Sequence, residues 1–245
     1  LPEPARGISS KEQTLRLFGS MGILGGVYFR AVQYSFAPHP RFRTIVIAED
    51  ERTVTFQDTK GVFNRRPKDG ASMPQFLRFP VETREDWETL KAERFRLNDE
   101  TRLKEDWESL VDRANNGPHP VGITVTGFYG FLRNLMGFER ACTAYYDQPE
   151  LVTEVYRFWT DYVIHCLERF VENLRLDYAV IWEDMSYKTG PMVSPAIFRR
   201  FILPCYREVT GYLRRGGVDI VFVDSDGKVD ELIPLFVEGG VNALF

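Results

Sequence analysis

Residues 217–227 read Gly-Val-Asp-Ile-Val-Phe-Val-Asp-Ser-Asp-Gly. Gly217 closes a helical pattern, residues 218–223 form a β-branched apolar run, and small polar residues follow at once. A run of this kind between two helical patterns predicts a strand buried on both faces, as in a parallel sheet. The pattern recurs upstream. Residues 121–126 lead into Gly127-Phe128-Tyr129-Gly130, residues 178–182 lead into Glu183-Asp184-Met185, and residues 241–245 form another short apolar run. Successive units of this type predict a parallel sheet with right-handed crossovers, and chemistry at the carboxyl ends of its strands.

The chain has 245 residues, of which 44% are hydrophobic and 27% charged, enough for one large core or two smaller ones. A net charge of −4 gives nonspecific nucleic-acid binding no electrostatic support. No apolar run approaches the roughly 20 residues of a membrane span. Cys142, Cys166 and Cys205 sit at helical positions and read as reduced core thiols, so a cytoplasmic protein is expected. Residue 1 is Leu, and the final strand has no helix after it. We therefore expect a fragment of a longer chain, and exposed strand edges that promote aggregation or a homodimer.

Residues 1–117 are expected to form an α+β region. It holds a helix at 10–21, loosened by the glycines of 19–26, and an aromatic strand-like run at 27–36. A hairpin of 44–48 with 53–57 follows, then a third strand near 62–65. Residues 70–79 read as a loop carrying Met73, Phe76 and Phe79. Thr83 is placed to cap a helix, and a second charged helix at 103–115 stops at Gly117-Pro118. Residues 118–245 form the parallel β/α region. Its helices are expected at 149–174, capped by Asp147, from Ser194 onward with a kink at Pro204, and at 229–238.

The strand ends gather the candidate chemistry. Glu183, Asp184, Asp224 and Asp226 are expected on one rim, where mutual repulsion raises at least one pKa. Lys188, in Tyr187-Lys188-Thr189-Gly190-Pro191, is placed to meet either a carboxylate or an anionic substrate. Phe128 and Tyr129 are candidates to wall a ligand, with Ser225 beside it. Glu183 alternates away from Trp182 and also reads as a buried ion-pair partner, while Asp184 and Asp226 also read as loop or helix caps. His39, His119 and His165 have no second His or Cys at metal spacing, and Ser225 lacks a nucleophile elbow. No metal and no cofactor are assigned.

The segment Trp182-Glu183-Asp184-Met185-Ser186-Tyr187-Lys188-Thr189-Gly190-Pro191-Met192-Val193-Ser194-Pro195, with Phe201-Ile202-Leu203-Pro204-Cys205-Tyr206 and Asp224-Ser225-Asp226-Gly227, resembles the uroporphyrinogen decarboxylase superfamily. Gly137-Phe138-Glu139, Asp147-Gln148-Pro149-Glu150-Leu151 and the entry from Met73 to Val81 fit as well. The resemblance implies a partial (β/α)8 TIM barrel. It also implies either cofactor-free decarboxylation or methyl transfer from a corrinoid protein. The chain departs from the decarboxylases in lacking an Arg-Gln-Ala-Gly-Arg segment, and Asp50 and Asp58 stand in hairpin context where the catalytic Asp is sought. It departs from the methyltransferases in carrying Asp224-x-Asp226 in place of a zinc-binding His-x-Cys. Carboxylate lacks the softness of thiolate for zinc. The leading expectation is thus decarboxylation of a small carboxylated, tetrapyrrole-type substrate. The alternatives are corrinoid-linked methyl transfer and a non-catalytic barrel that binds a small anion.

Overall fold

The computed structural model describes residues 30–70 and 72–244. The expected helix at 10–21 and the glycines of 19–26 lie outside the described residues. The fold is mixed α/β, built on a five-stranded sheet of β1 (Arg30–Ala31), β6 (Val121–Thr126), β7 (Tyr178–Trp182), β10 (Ile220–Asp224) and β11 (Ala243–Leu244). All four pairings are parallel, and neighbours follow chain order. This arrangement is consistent with part of a TIM-barrel-like wall. β1 pairs with the start of β6, so the parallel sheet draws on residues from both sides of position 118.

The register sorts the side chains into two faces. Ile123, Ala179 and Val221 lie abreast, as do Val125, Ile181 and Val223, and all six are buried. Helices cover this face. The other face carries Gly122, Tyr178 and Ile220 at one end and Thr126, Trp182 and Asp224 at the carboxyl end. Gly122 is required where it stands, because a Cβ there would lie 2.3 Å from the Tyr178 ring.

Between β1 and β6 the chain forms an antiparallel sheet of β2 (Ile45–Glu49), β3 (Thr53–Gln57), β4 (Phe63–Pro67) and β5 (Gln75–Arg78). The expected hairpin and third strand are present. β5 replaces the loop expected over 70–79, because Asn64 and Arg65 pair with Phe76 and Gln75. Helix α1 (Arg84–Arg94) opens on a capping box. Thr83 Oγ1 accepts from the Asp86 N–H at 3.2 Å, and Asp86 Oδ2 accepts from the Thr83 N–H at 3.0 Å. Helix α2 (Trp107–Asn116) is capped by Asp106, four residues later than the expected start, and stops at Gly117.

From β6 the chain runs through α3 (Phe128–Met136), α4 (Phe138–Asp147) and α5 (Pro149–Asn173). Asp147 does not cap α5. It is the last residue of α4, and Gln148 alone separates the two helices. Leu151, Val155, Trp159, Tyr162, Cys166 and Phe170 put an apolar stripe on α5 at helical spacing. Trp159 stacks on Phe131 of α3 with ring centroids 3.8 Å apart, and Trp87 of α1 meets Phe131 and Phe158 edge-on. One aromatic core therefore joins α1, α3 and α5. Beyond β7 come the short hairpin β8 (Ser186–Tyr187) and β9 (Gly190–Pro191), then a turn capped by Ser194. A π segment, Phe198–Ile202, leads into α6 (Leu203–Arg215). The wider turn lets the Leu203 N–H reach the Phe198 carbonyl, so Pro204 falls in a first turn where its missing N–H costs nothing. The last helix, α7 (Ile233–Glu238), begins four residues later than expected.

Candidate active site at the carboxyl ends of the parallel strands

The ends of β6, β7 and β10 meet at one rim. Gly127 N–H donates to the Trp182 carbonyl at 2.7 Å, and Glu183 N–H donates to the Asp224 carbonyl at 2.9 Å. The loop after β10 is tied to the loop after β7 by Ser225, whose Oγ accepts from the Met185 N–H at 3.0 Å. Gly227 then passes so close to the β8–β9 hairpin that a Cβ would lie 2.8 Å from the Ser186 carbonyl, at a φ of +86° that also favours glycine. The acidic tips that follow Trp182 and Val223 are thus neighbours.

The four carboxylates play different parts. Glu183 is fully buried and turns away from the rim into the helix layer. Its Oε1 accepts from the Phe128 N–H and the Tyr206 hydroxyl, each at 2.8 Å, and its Oε2 accepts from the Gly130 N–H at 3.0 Å. These amides belong to the first turn of α3, so Glu183 caps that helix from a distant strand. Burial pushes its pKa up, against the opposing pull of these donors. Its oxygens are committed to the fold and do not face a substrate.

Asp184 adopts φ +48°, in the left-handed region. Its carboxylate and its own carbonyl both accept from Arg133 Nη1, each at 2.8 Å. Arg133 lies on α3, with its guanidinium 5.3 Å from the Trp182 ring centre. Asp224 projects from the same face of the sheet as Trp182, and the two are register partners. Its carboxyl pKa is raised, first by desolvation and then by the charges of Asp226 and Asp184. Asp226 is exposed beside it.

The expected ligand walls are elsewhere. Phe128 and Tyr129 are both buried. Phe128 packs against Tyr156 and Tyr206, and the Tyr129 hydroxyl donates to Met192 Sδ at 3.3 Å. They open α3, and the first turn of that helix faces inward, so they cannot wall an open rim. Ser225 is buried and holds the two loops together. Lys188 is exposed at the tip of the β8–β9 hairpin, with its amine 5.8 Å from the Tyr187 ring centre. Sequence reasoning missed Arg133 and the site-facing position of Trp182. Its place at the carboxyl end of a strand signals Trp182, whereas nothing local marks Arg133.

A cleft of about 390 Å3 lies apart from this rim, lined by Glu82, Met136, Glu139, Arg140 and Asp147 among others. Among the described residues, no group of three or more His, Cys, Asp or Glu side chains is placed to hold a metal ion. Asp224 and Asp226 do not fit a zinc centre that requires thiolate or imidazole.

A family model described as uroporphyrinogen decarboxylase (URO-D) matches residues 64–244. The chain belongs to the uroporphyrinogen decarboxylase family. The match spans β4 through β11 and so contains every rim residue of this family member. A solved methyltransferase from Methanosarcina mazei is similar with a TM-score of 0.51 and 14% identity, over 71% of this chain and 49% of that one. At that identity the likeness concerns the fold, and this chain spans about half the length of that structure. A search of curated proteins gave no match. No helix among the described residues is long and apolar enough to cross a membrane.

Proposed function

We propose that this family member decarboxylates a small substrate bearing carboxylate side chains, of tetrapyrrole type, at the rim of β6, β7 and β10. The observation that carries the reading is Asp224. It sits at the carboxyl end of β10, the fourth of the five parallel strands in chain order, and its pKa is raised by burial and two neighbouring carboxylates. A carboxyl that holds its proton more tightly than usual suits the general-acid role this reaction needs. The acid protonates a ring carbon, which makes the ring cationic. The bond to the leaving carboxylate then breaks, CO2 departs, and its electron pair neutralises the ring. A proton adds to the exocyclic carbon, and the ring carbon returns its own. Asp226 and Asp184 stabilise the transient cation electrostatically. Trp182 offers a flat face beside Asp224, and Arg133 positions Asp184. Lys188 receives a substrate carboxylate from the hairpin tip. In this reading the parallel strands are part of a (β/α)8 barrel, the protein is cytoplasmic, and no cofactor takes part.

The likeness to a methyltransferase favours a second reading, methyl transfer from a corrinoid partner protein. The carboxylates then orient a small methyl acceptor, without the zinc-thiolate activation that this donor set does not fit. Anaerobic incubation with uroporphyrinogen, followed by chromatography of the oxidised porphyrins, tests the first reading. The expected result is loss of carboxyl groups, slowed at least ~100-fold by Asp224→Asn. An unchanged porphyrinogen pool, or an Asp224→Asn variant as active as the parent, overturns it. Demethylation of methylcobalamin under the same conditions supports the second reading. Ligand-induced stabilisation with neither turnover points to an anion-binding barrel.

A further inference from the structure

Arg133 spends half of its guanidinium on the fold. Its Nη1 donates to both the carbonyl and the carboxylate of Asp184, each at 2.8 Å. Its Nε and Nη2 have no hydrogen-bond partner among the described residues, and neither atom is buried. Arg102 is the contrast. Its Nη1 and Nη2 donate to the carbonyls of Ser35, Ala37 and Arg94, and its Nε is enclosed. Arg102 is used up by the fold, whereas Arg133 keeps one complete edge. On that edge Nε–H and Nη2–H lie side by side, the flat two-donor fork that matches a carboxylate.

We infer that Arg133 is a specificity-determining residue, whose Nε/Nη2 edge receives a carboxylate that the substrate carries beside a flat ring lying on Trp182. The inference rests on the rim being the site for a carboxylated substrate, and it names the group that selects that substrate. The fork is held ready. The paired Nη1 fixes one corner of its plane, and the ring centres of Trp182 and Tyr129 lie 5.3 and 5.9 Å from the guanidinium carbon. The side chain is only 19% exposed, so little freedom is lost on binding. Trp182 is the register partner of Asp224, which puts the fork and the acid at the end of the same sheet. The surrounding charge argues the same way. Asp184, Asp224 and Asp226 repel an acidic substrate unless a cation offsets them. Lys188 offers a single flexible amine at the hairpin tip, whereas Arg133 offers a fixed direction as well as a charge.

Calorimetric titration of the full chain with benzene-1,3,5-tricarboxylate, a flat ring bearing acids, tests this without turnover. The parent is expected to bind it and to ignore the neutral triamide. Arg133→Gln should weaken binding about tenfold or more, and Arg133→Lys, which keeps the charge and loses the fork, should also bind more weakly than the parent. Asp184→Asn leaves the fork and removes a repelling charge, so it should bind at least as well as the parent. A parent that does not bind the tricarboxylate overturns the inference, as does an Arg133→Gln or Arg133→Lys variant equal to the parent. So does an Asp184→Asn variant weakened as much as Arg133→Gln, which would leave Arg133 a positioning role alone. Binding through Arg133 in a protein that leaves uroporphyrinogen unchanged removes only the decarboxylation reading. Consumption of uroporphyrinogen with a KM that Arg133→Gln does not move removes only this inference.

Discussion

Replacing Glu183 by Gln keeps the shape of the side chain and changes one atom. The carboxylate meets three donors: the Phe128 and Gly130 amides and the Tyr206 hydroxyl. An amide group has one oxygen and one NH2, and the NH2 must face one of those positions. Placed toward Gly130, it sets a donor against a buried N–H. Placed the other way, it sets a donor against the Phe128 N–H, while only the Tyr206 hydroxyl can rotate to accept. Either choice leaves one buried backbone donor without an acceptor, at a cost of about 1–3 kcal/mol. The neutral amide also removes the buried charge whose desolvation raises the native pKa, which gives back part of this cost, so the lower half of the range is expected at neutral pH. Glu183→Ala strands all three donors and leaves a cavity, so it costs about 3–5 kcal/mol, a large share of the roughly 5–15 kcal/mol of a typical domain. In chemical denaturation the Gln variant should lose about 1–2 kcal/mol, and in thermal melts about 2–8 °C. A Gln variant as stable as the parent would refute the role of Glu183 as the strap between β7 and α3.

Gly127→Ala should destabilise more than Gly130→Ala in the same melts, by about 1–3 kcal/mol, since a Cβ at 127 would lie 2.2 Å from Glu183 Cδ and one at 130 would lie 3.0 Å from the Trp182 carbonyl. Asp224→Asn should stabilise the protein near pH 7 while lowering turnover. The raised native pKa means that the folded protein holds this proton more tightly than the unfolded chain. Stability from this group is therefore present below the unfolded pKa and falls as pH rises through the native one, and a pH series of melts should show that fall flattened in the variant. Arg133→Met removes the cation from Asp184 and should lower stability by about 1 kcal/mol, measured by urea titration. A variant equal to the parent would show that the left-handed turn at Asp184 holds without the ion pair.

The strands of the parallel sheet were legible because their burial is written locally. Val121–Thr126 is a run rich in β-branched residues and Tyr178–Trp182 a continuous apolar one, and both ends of each agree with the structure. The cap at Thr83 was legible for the same reason, since its partner Asp86 is three residues away. β5 was not, because residues 75–78 become a strand by pairing with β4 and carry no alternation of their own. Asp147 misled because its cap geometry depends on where α4 ends. Phe128 and Tyr129 follow a strand end, as ligand-facing residues do, yet the helix begins at once and turns them inward.

The sequence by itself determined the later parallel strands, the family, and the acidic strand ends, because propensity, alternation and motif are properties of neighbouring residues. Tertiary structure alone decided which acid does what. Glu183 and Asp184 are adjacent in the chain, but strand alternation sends one beneath α3 and a left-handed turn sends the other to Arg133, 51 positions away. That division depends on which distant groups surround each carboxyl, and it exists only once the sheet and its helices have packed.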